Sequence, residues 1–323
     1  HKYGILGAYM PSFSKIEGLM QFDLFHIFTV DEHTLRVIKN LRLFNSEEYK
    51  NEYPICYALI RTIPKLELLY LAGLFHDIAK GRKGNHAKLG SKDAFNFCIQ
   101  HGLSKYDAKL VEWLVENHLL MSKTSQREDL EDPDVITDFS KQIGDQTHLD
   151  YLYLLTVADI CATNPELWNS WKASLLAALY HKTLHHLRRG SEKPLLKTER
   201  IKNTKQDTLN LLTKNIDENH VYKIWESITE DYFLRHNPDE IAWHTKGILI
   251  HNAETPLVMV NKESSRGGSL IFVYMKDKKN IFAIITKAIA SIGLTVLDAR
   301  IITNHQNFTL DTFVVLETNG KLI

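Results

Sequence analysis

Apolar residues recur every three or four positions through most of the first 190 residues, the period of helices that bury one face. TVDEHTLRVIKNL opens on Thr29 and Asp31 as capping residues and continues with Val37, Ile38 and Leu41 on one side. PKLELLYLAGLFHDIAK starts at Pro64 and is followed by Gly81, which predicts one helix running through Lys80. DAKLVEWLVENHLLM and THLDYLYLLTVADI read as two further long helices. Beyond Gly190 the chain turns polar before helical periodicity returns in TLNLLTKNI and VYKIWESITEDYF, so 191–255 is expected to be a helical connector.

Near Pro256 the period changes. SLIFVYMK, preceded by Gly267-Gly268, and then LTVLDARIIT and FTLDTFVVLE read as strands, with NHQN as the last turn. NIFAIITKAIASI, closed by Gly293, is a helix between the first two strands. Strands at Leu270–Met275, Leu294–Ile302 and Phe308–Leu316 with a helix at Asn280–Ile292 make β-α-β-β, part of a ferredoxin-like βαββαβ unit. The fourth strand is expected beyond Ile323, which would leave LIFVYM with an unpaired edge. The fold class is therefore mainly α, with a partial α+β unit at 256–323.

Chemistry enters where the pattern is broken. In LLYLAGLFHDIAK the only strongly polar residues before Lys80 are His76 and Asp77, on a helix apolar all round and so buried. A buried carboxylate is costly unless it is paired or holds a metal. A core histidine bonded to a structural aspartate would also satisfy that pair. His33, however, shares a face with Val37 and Leu41, His118 lies on the stripe Val111, Leu114, Val115, and Asp159 follows Leu152 and Leu155. One metal centre inside a helical bundle accounts for all of these positions together.

Composition narrows the class. The 323 residues are 44% hydrophobic and 24% charged, a globular profile long enough for two domains. Lys+Arg and Asp+Glu are 39 each, which lacks the basic footprint of a nucleic-acid binder. No apolar run approaches the ~20 residues that cross a bilayer. The three cysteines, Cys56, Cys98 and Cys161, form no C-x-x-C pair and suit a reduced, cytoplasmic protein. The first residues lack an initiator Met and a signal-peptide pattern, so a piece of a longer protein is expected.

The order His33, His76-Asp77, Asp159 resembles the H…HD…D order of the all-helical HD phosphohydrolase superfamily. The resemblance implies that these four residues hold one divalent metal, that Asp77 bridges to a second, and that His86 and His118 complete it. Asp77 and Lys80 are the expected catalytic residues: Lys80 lies three residues after Asp77 on the same helical face, where it either holds a non-bridging phosphate oxygen or serves as a helix C-terminal cation favoured by the dipole. The resemblance leaves open the choice among Mg²⁺, Mn²⁺, Fe²⁺ and Zn²⁺, and between one ion and two.

The match extends further. QFDLFHIFTVDEHTLRVIKNLR, LFHDIAKG, ENHLLMS, LTVADICATNPELWNSWKASLL, LHHLRRG, DEIAWHT and RGGSLIFVY resemble bifunctional PII uridylyltransferase/uridylyl-removing enzymes of bacterial nitrogen regulation. That family implies an HD hydrolase domain at 1–190, the connector at 191–255 and an incomplete ACT regulatory domain at 256–323. The implied reaction is hydrolysis of the tyrosyl-UMP bond of uridylylated PII, with glutamine as effector of the full-length enzyme through residues left unassigned. No Gly-Ser plus paired-Asp pattern of a nucleotidyltransferase is present, Cys161 stands where a basic residue is expected, and Asn280 replaces a loop glycine. Two alternatives are an HD enzyme acting on a free nucleotide and a silent module that binds PII or an amino acid. NPELWNSWK and DEIAWHT count against the first, and the intact ligand set against the second.

Overall fold

In the computed structural model the chain divides into two units, His1–Gly190 and Ser191–Ile323. The described residues are 3–20, 27–164, 167–189, 197–212, 216–251, 255–262, 264 and 266–323. QFDLFH, Pro165-Glu166 within NPELW, Gly190 and SEKPLL lie outside them.

The first unit is helical: α1 Ile5–Tyr9, α2 Pro11–Ser14, α3 Val30–Leu43, α4 Pro54–Ile60, α5 Leu66–Phe75, α6 His86–Gln100, α7 Lys105–Asn117, α8 Leu120–Arg127, α9 Pro133–Ile143, α10 Gln146–Thr163 and α11 Ser170–Arg189. Helix α10 is the axis, touching α3, α4, α5, α7, α8, α9 and α11. That is why LDYLYLLTVA has no polar face: Leu149 and Leu152–Ala158 are buried without interruption. The Asp145 side chain caps this helix by accepting from the His148 amide at 2.8 Å.

Gly73 lets α5 press against α3. A Cβ there would meet Ile38, Leu41 and Val37 side chains at 3.0–3.3 Å. The helix expected to run through Lys80 ends at Phe75 instead. His76 to Gly81 form successive turns, with Ile78 N–H donating to Phe75 O at 3.2 Å and Lys80 N–H to Asp77 O at 2.9 Å. Gly81 then takes φ +79°. Asp77 therefore sits in a turn rather than a helix, yet the three-residue turn period still puts Lys80 on its side.

The second unit contains α12 Lys197–Leu211, α13 Glu218–Glu226, α14 Glu230–Arg235, α15 Pro238–Ile250, β1 Leu257–Asn261, β2 Ser269–Lys276, α16 Ile281–Ser291, β3 Leu294–Arg300 and β4 Phe308–Glu317. The antiparallel sheet has the order β1-β2-β4-β3. On one face Val221, Trp225, Tyr232, Phe233 and Ile241 cluster with Phe272 and Leu310. The helices read as a connector are thus a layer of the sheet's own core. On the other face Ile289 of α16 meets Ile271, Val273, Phe313 and Val315.

The expectation of an open LIFVYM edge is corrected. Strand β1 pairs along β2, with Val258 opposite Val273 and Val260 opposite Ile271. LVMVN has only five residues, too few for its alternation to stand out from a loop.

Candidate metal centre

Five segments of the first unit converge. His33 is on the first turn of α3, His76 and Asp77 follow α5, His86 begins α6, His118 follows α7, and Asp159 is near the end of α10. His33, His76, Asp77 and His118 are at most 2% exposed. Every residue singled out as a ligand is brought into this one cluster. His118 is at the C-cap of α7 rather than within it, because the chain turns there into α8.

The donor atoms face one another. His33 Nε2 is 3.0 Å from Asp159 Oδ1, 3.1 Å from His76 Nε2 and 3.5 Å from Asp77 Oδ2. His76 Nε2 is 3.2 Å from Asp77 Oδ2 and 3.7 Å from Asp159 Oδ1. Ligands about 2.1 Å from a small divalent cation are separated by about 3.0 Å at right angles and about 3.4 Å at tetrahedral angles. The observed spacings of 3.0–3.7 Å begin at the right-angle value and run slightly past the tetrahedral one, so this donor set fits one cation. Asp77 Oδ1 turns the other way, to His86 Nε2 at 3.6 Å and His118 Nε2 at 3.9 Å. Asp77 Oδ1 and His86 Nε2 are buried polar atoms without a hydrogen bond, an arrangement that costs free energy unless something else satisfies them.

Backbone carbonyls orient two rings. His76 Nδ1–H donates to Gly73 O and His118 Nδ1–H to Val115 O, each at 2.8 Å, which in the neutral rings leaves the Nε2 lone pairs aimed into the cluster. Electrostatics follow from burying two carboxylates together. Burial pulls His76 down, but the Asp77 charge and hydrogen bond, Asp159 and the Gly73 carbonyl outweigh it and raise its pKa to about 9. Burial pushes Asp77 up, and His76, Lys80 and His118 reverse that and hold it well below the usual carboxylate range. Asp159 is likewise lowered, burial being overcome by the His33 hydrogen bond and the His76 and His33 charges. His118 is pulled down to about 4 by burial and then by His76, and His86 is lowered by burial first. The two buried carboxylates thus favour positive charge in the cluster.

Lys80 Nζ lies 2.8 Å from Asp77 Oδ2. Beside the cluster a cavity of about 390 Å³ is lined by Asp77, His86, His118 and Asp159, and by Lys80, Ser122, Gln126, Arg127, Ile160, Leu167 and Lys172. Arg127 and Lys172 break no apolar pattern in the sequence, and the one signal for Lys172 is its place in NPELWNSWK. Cys161 contacts the Tyr53 hydroxyl at 3.7 Å.

Comparison with known proteins agrees with this architecture. The family described as HD domain matches residues 30–164, and that described as Uridylyltransferase GlnD fifth domain matches 197–247. A bifunctional uridylyltransferase/uridylyl-removing enzyme of Pseudomonas aeruginosa (strain UCBPP-PA14) is 52% identical over 328 residues, covering 100% of this chain and 36% of that protein. Proteins of the same name from Stutzerimonas stutzeri (strain A1501) and Vibrio cholerae are 50% and 49% identical, again over all of this chain and 36% and 37% of theirs. The chain thus spans little more than a third of these relatives. Among the described residues no helix is long and apolar enough to cross a membrane.

Proposed function

Since the chain contains an HD domain and is homologous over its whole length to bifunctional uridylyltransferase/uridylyl-removing enzymes, we propose that residues 1–190 are a metal-dependent phosphodiesterase. Its substrate in this reading is the tyrosyl-UMP bond of uridylylated PII, and its products are UMP and unmodified PII. The supporting observation is the division of Asp77 between two sets of imidazoles, Oδ2 toward His33 and His76 and Oδ1 toward His86 and His118.

His33, His76, Asp77 and Asp159 would hold one divalent cation. Asp77, His86 and His118 would hold a second. The mix of imidazole and carboxylate suits Mg²⁺ or Mn²⁺, with Fe²⁺ and Zn²⁺ as alternatives. When bound, such an ion lowers the pKa of its water toward neutrality, which supplies hydroxide at working pH. Hydrolysis adds the water oxygen to phosphorus, breaks the phosphorus–phenolic oxygen bond and returns a proton to the tyrosine. Lys80 fixes the Asp77 carboxylate and places a positive charge beside the reacting phosphate. Ile160 and Leu167 offer the cavity an apolar side for a ring.

Uridylyl transfer belongs, in this reading, to parts of the relatives that the chain does not span. Residues 191–255 and 256–323 would serve regulation, the sheet as part of an ACT-type sensor for which glutamine is the expected effector. The reaction would take place in the cytoplasm. The test is to incubate the chain with uridylylated PII and a divalent salt and to follow UMP. Release that stops on chelation is expected; none above a metal-free blank would overturn the reading.

A further inference from the structure

We propose that Lys172 and Arg127 bind the phosphoryl oxygens of a nucleoside monophosphate ester in the cavity they line together with the carboxylates of the metal cluster. The inference rests on the hydrolase reading above and names how that site takes its anionic substrate. The cavity of about 390 Å³ lies within the roughly 300–1,000 Å³ of small-molecule sites. It is lined by Asp77 and Asp159, by Arg127 from the last turn of α8 and by Lys172 from the first turn of α11. An anionic diester approaching two carboxylates needs compensating positive charge on the walls.

Stability does not explain Lys172. It is half-buried, and burial lowers its pKa. Lys80 is held by Asp77 and Lys182 by Glu131, but among the described residues Lys172 has no ion-pair partner. It also stands in the first turn of a helix with no acidic residue there. The positive end of the helix dipole disfavours a cation at that place. The turn is capped instead by Asn169, whose Oδ1 accepts from the Lys172 amide at 2.9 Å. A lysine that is half-buried, unpaired among the described residues and at the wrong end of a helix is accounted for by an anionic ligand in the cavity it shares with the cluster. The helix end adds its own attraction for that anion.

Lys172 also lies beyond residue 164, where the HD-domain match ends. The cation therefore comes from outside the common HD core, as expected of a group that selects the substrate rather than one that assembles the metal site. Lys80 divides its charge between Asp77 and the phosphate, and Lys172 and Arg127 supply the further positive charge that the phosphate meets.

The experiment uses the whole chain loaded with Mn²⁺ and compares wild type with Lys172→Met, Lys172→Arg and Arg127→Ala. UMP binding is measured by calorimetry, UMP release from uridylylated PII by product analysis, and metal content by elemental analysis. Lys172→Met should weaken UMP binding and raise KM at least tenfold with metal content unchanged, while Lys172→Arg should recover most of the affinity. Arg127→Ala should give a smaller loss of the same kind, since Arg127 is more exposed. UMP affinity unchanged in Lys172→Met and Arg127→Ala, or no UMP binding by wild type, overturns the proposal. If wild type binds UMP through Lys172 but does not process uridylylated PII, the phosphate subsite stands and the assignment of PII falls. If wild type releases UMP but the variants bind it equally well, the reverse holds.

Discussion

The Nε2 atoms of His33 and His76 face each other at 3.1 Å. His76 has its other nitrogen bonded to the Gly73 carbonyl, so the two rings turn the same atom toward the same point. Asp159 Oδ1 is directed there as well, 3.0 Å from His33. Side chains from α3, the turn after α5 and α10 are thereby focused on a space of ionic dimensions.

Asp77 is the residue common to both donor sets, and its removal should be the most damaging single change. Loss of groups that merely orient a ligand typically costs about 10–100-fold, so Asp77→Ala is expected to lower metal affinity by more than about 100-fold. UMP release should disappear with the metal. His118→Ala should keep one equivalent of metal and lose activity. Elemental analysis alongside the UMP assay checks both; a fully active Asp77→Ala chain would remove the metal assignment.

Gly90 supports the same turn from behind. A Cβ there would lie 3.1 Å from the Phe75 carbonyl oxygen and 3.4 Å from Ile78 and Val115 methyls. Gly90→Val should therefore strain α6 against the turn that carries His76 and Asp77, costing about 1–3 kcal/mol as overpacking usually does. Urea unfolding measures the stability. Activity should fall further than the small loss in folded fraction explains, since the turn positions the ligands.

In the second unit Arg266 grips Glu240 with two nitrogens, Nη2 to Oε2 at 2.7 Å and Nε to Oε1, while Glu240 also accepts from the Asn237 amide at 3.1 Å. Glu240 is 2% exposed. Arg266→Ala leaves a buried charge unpaired and should cost about 3–5 kcal/mol. The double change Glu240→Gln, Arg266→Met should recover most of that loss. A single variant as stable as wild type would show that the carboxylate is solvated.

Acid should loosen this unit before its carboxylates titrate. Burial first, and then Arg300, Arg266 and Arg235, hold His236 well below 6.5, against the Tyr232 carbonyl. Burial, His236 and Arg266 do the same to His244, with Glu240 opposing. Below about pH 6.5 the unfolded chain takes up protons that the native histidines refuse, so stability falls as pH drops, by up to about 1.4 kcal/mol per pH unit for each histidine. Glu240, whose pKa is lowered despite burial by the Arg266 hydrogen bond and charge, adds a loss only nearer its unfolded value. Hydrogen exchange of α15 and β2 amides at about pH 7 and about pH 5.5 checks this, and His244→Gln should flatten the dependence.

Much of this architecture can be read from local pattern. Helix period, capping residues and buried polar exceptions depend on neighbours within a turn or two, so α3, α10 and the positions of His33 and Asp159 follow from the chain alone. The strand centres at Phe272, Val296 and Phe313 are equally local. What the local pattern could not show are relationships between distant segments. Helix α5 ends at Phe75, where α6 passes close by at Gly90, although the apolar run continues through Ile78 and Ala79.

The residues themselves determine that imidazoles and carboxylates are buried on apolar helix faces, the pattern from which a ligand set is expected. Only the tertiary structure decides how Asp77 divides its oxygens, that β1 covers the edge of β2, and that Lys172 looks into the cavity. The physical reason is that periodicity specifies which side of an element is buried, whereas the partner across the gap is chosen by packing among elements far apart in the chain.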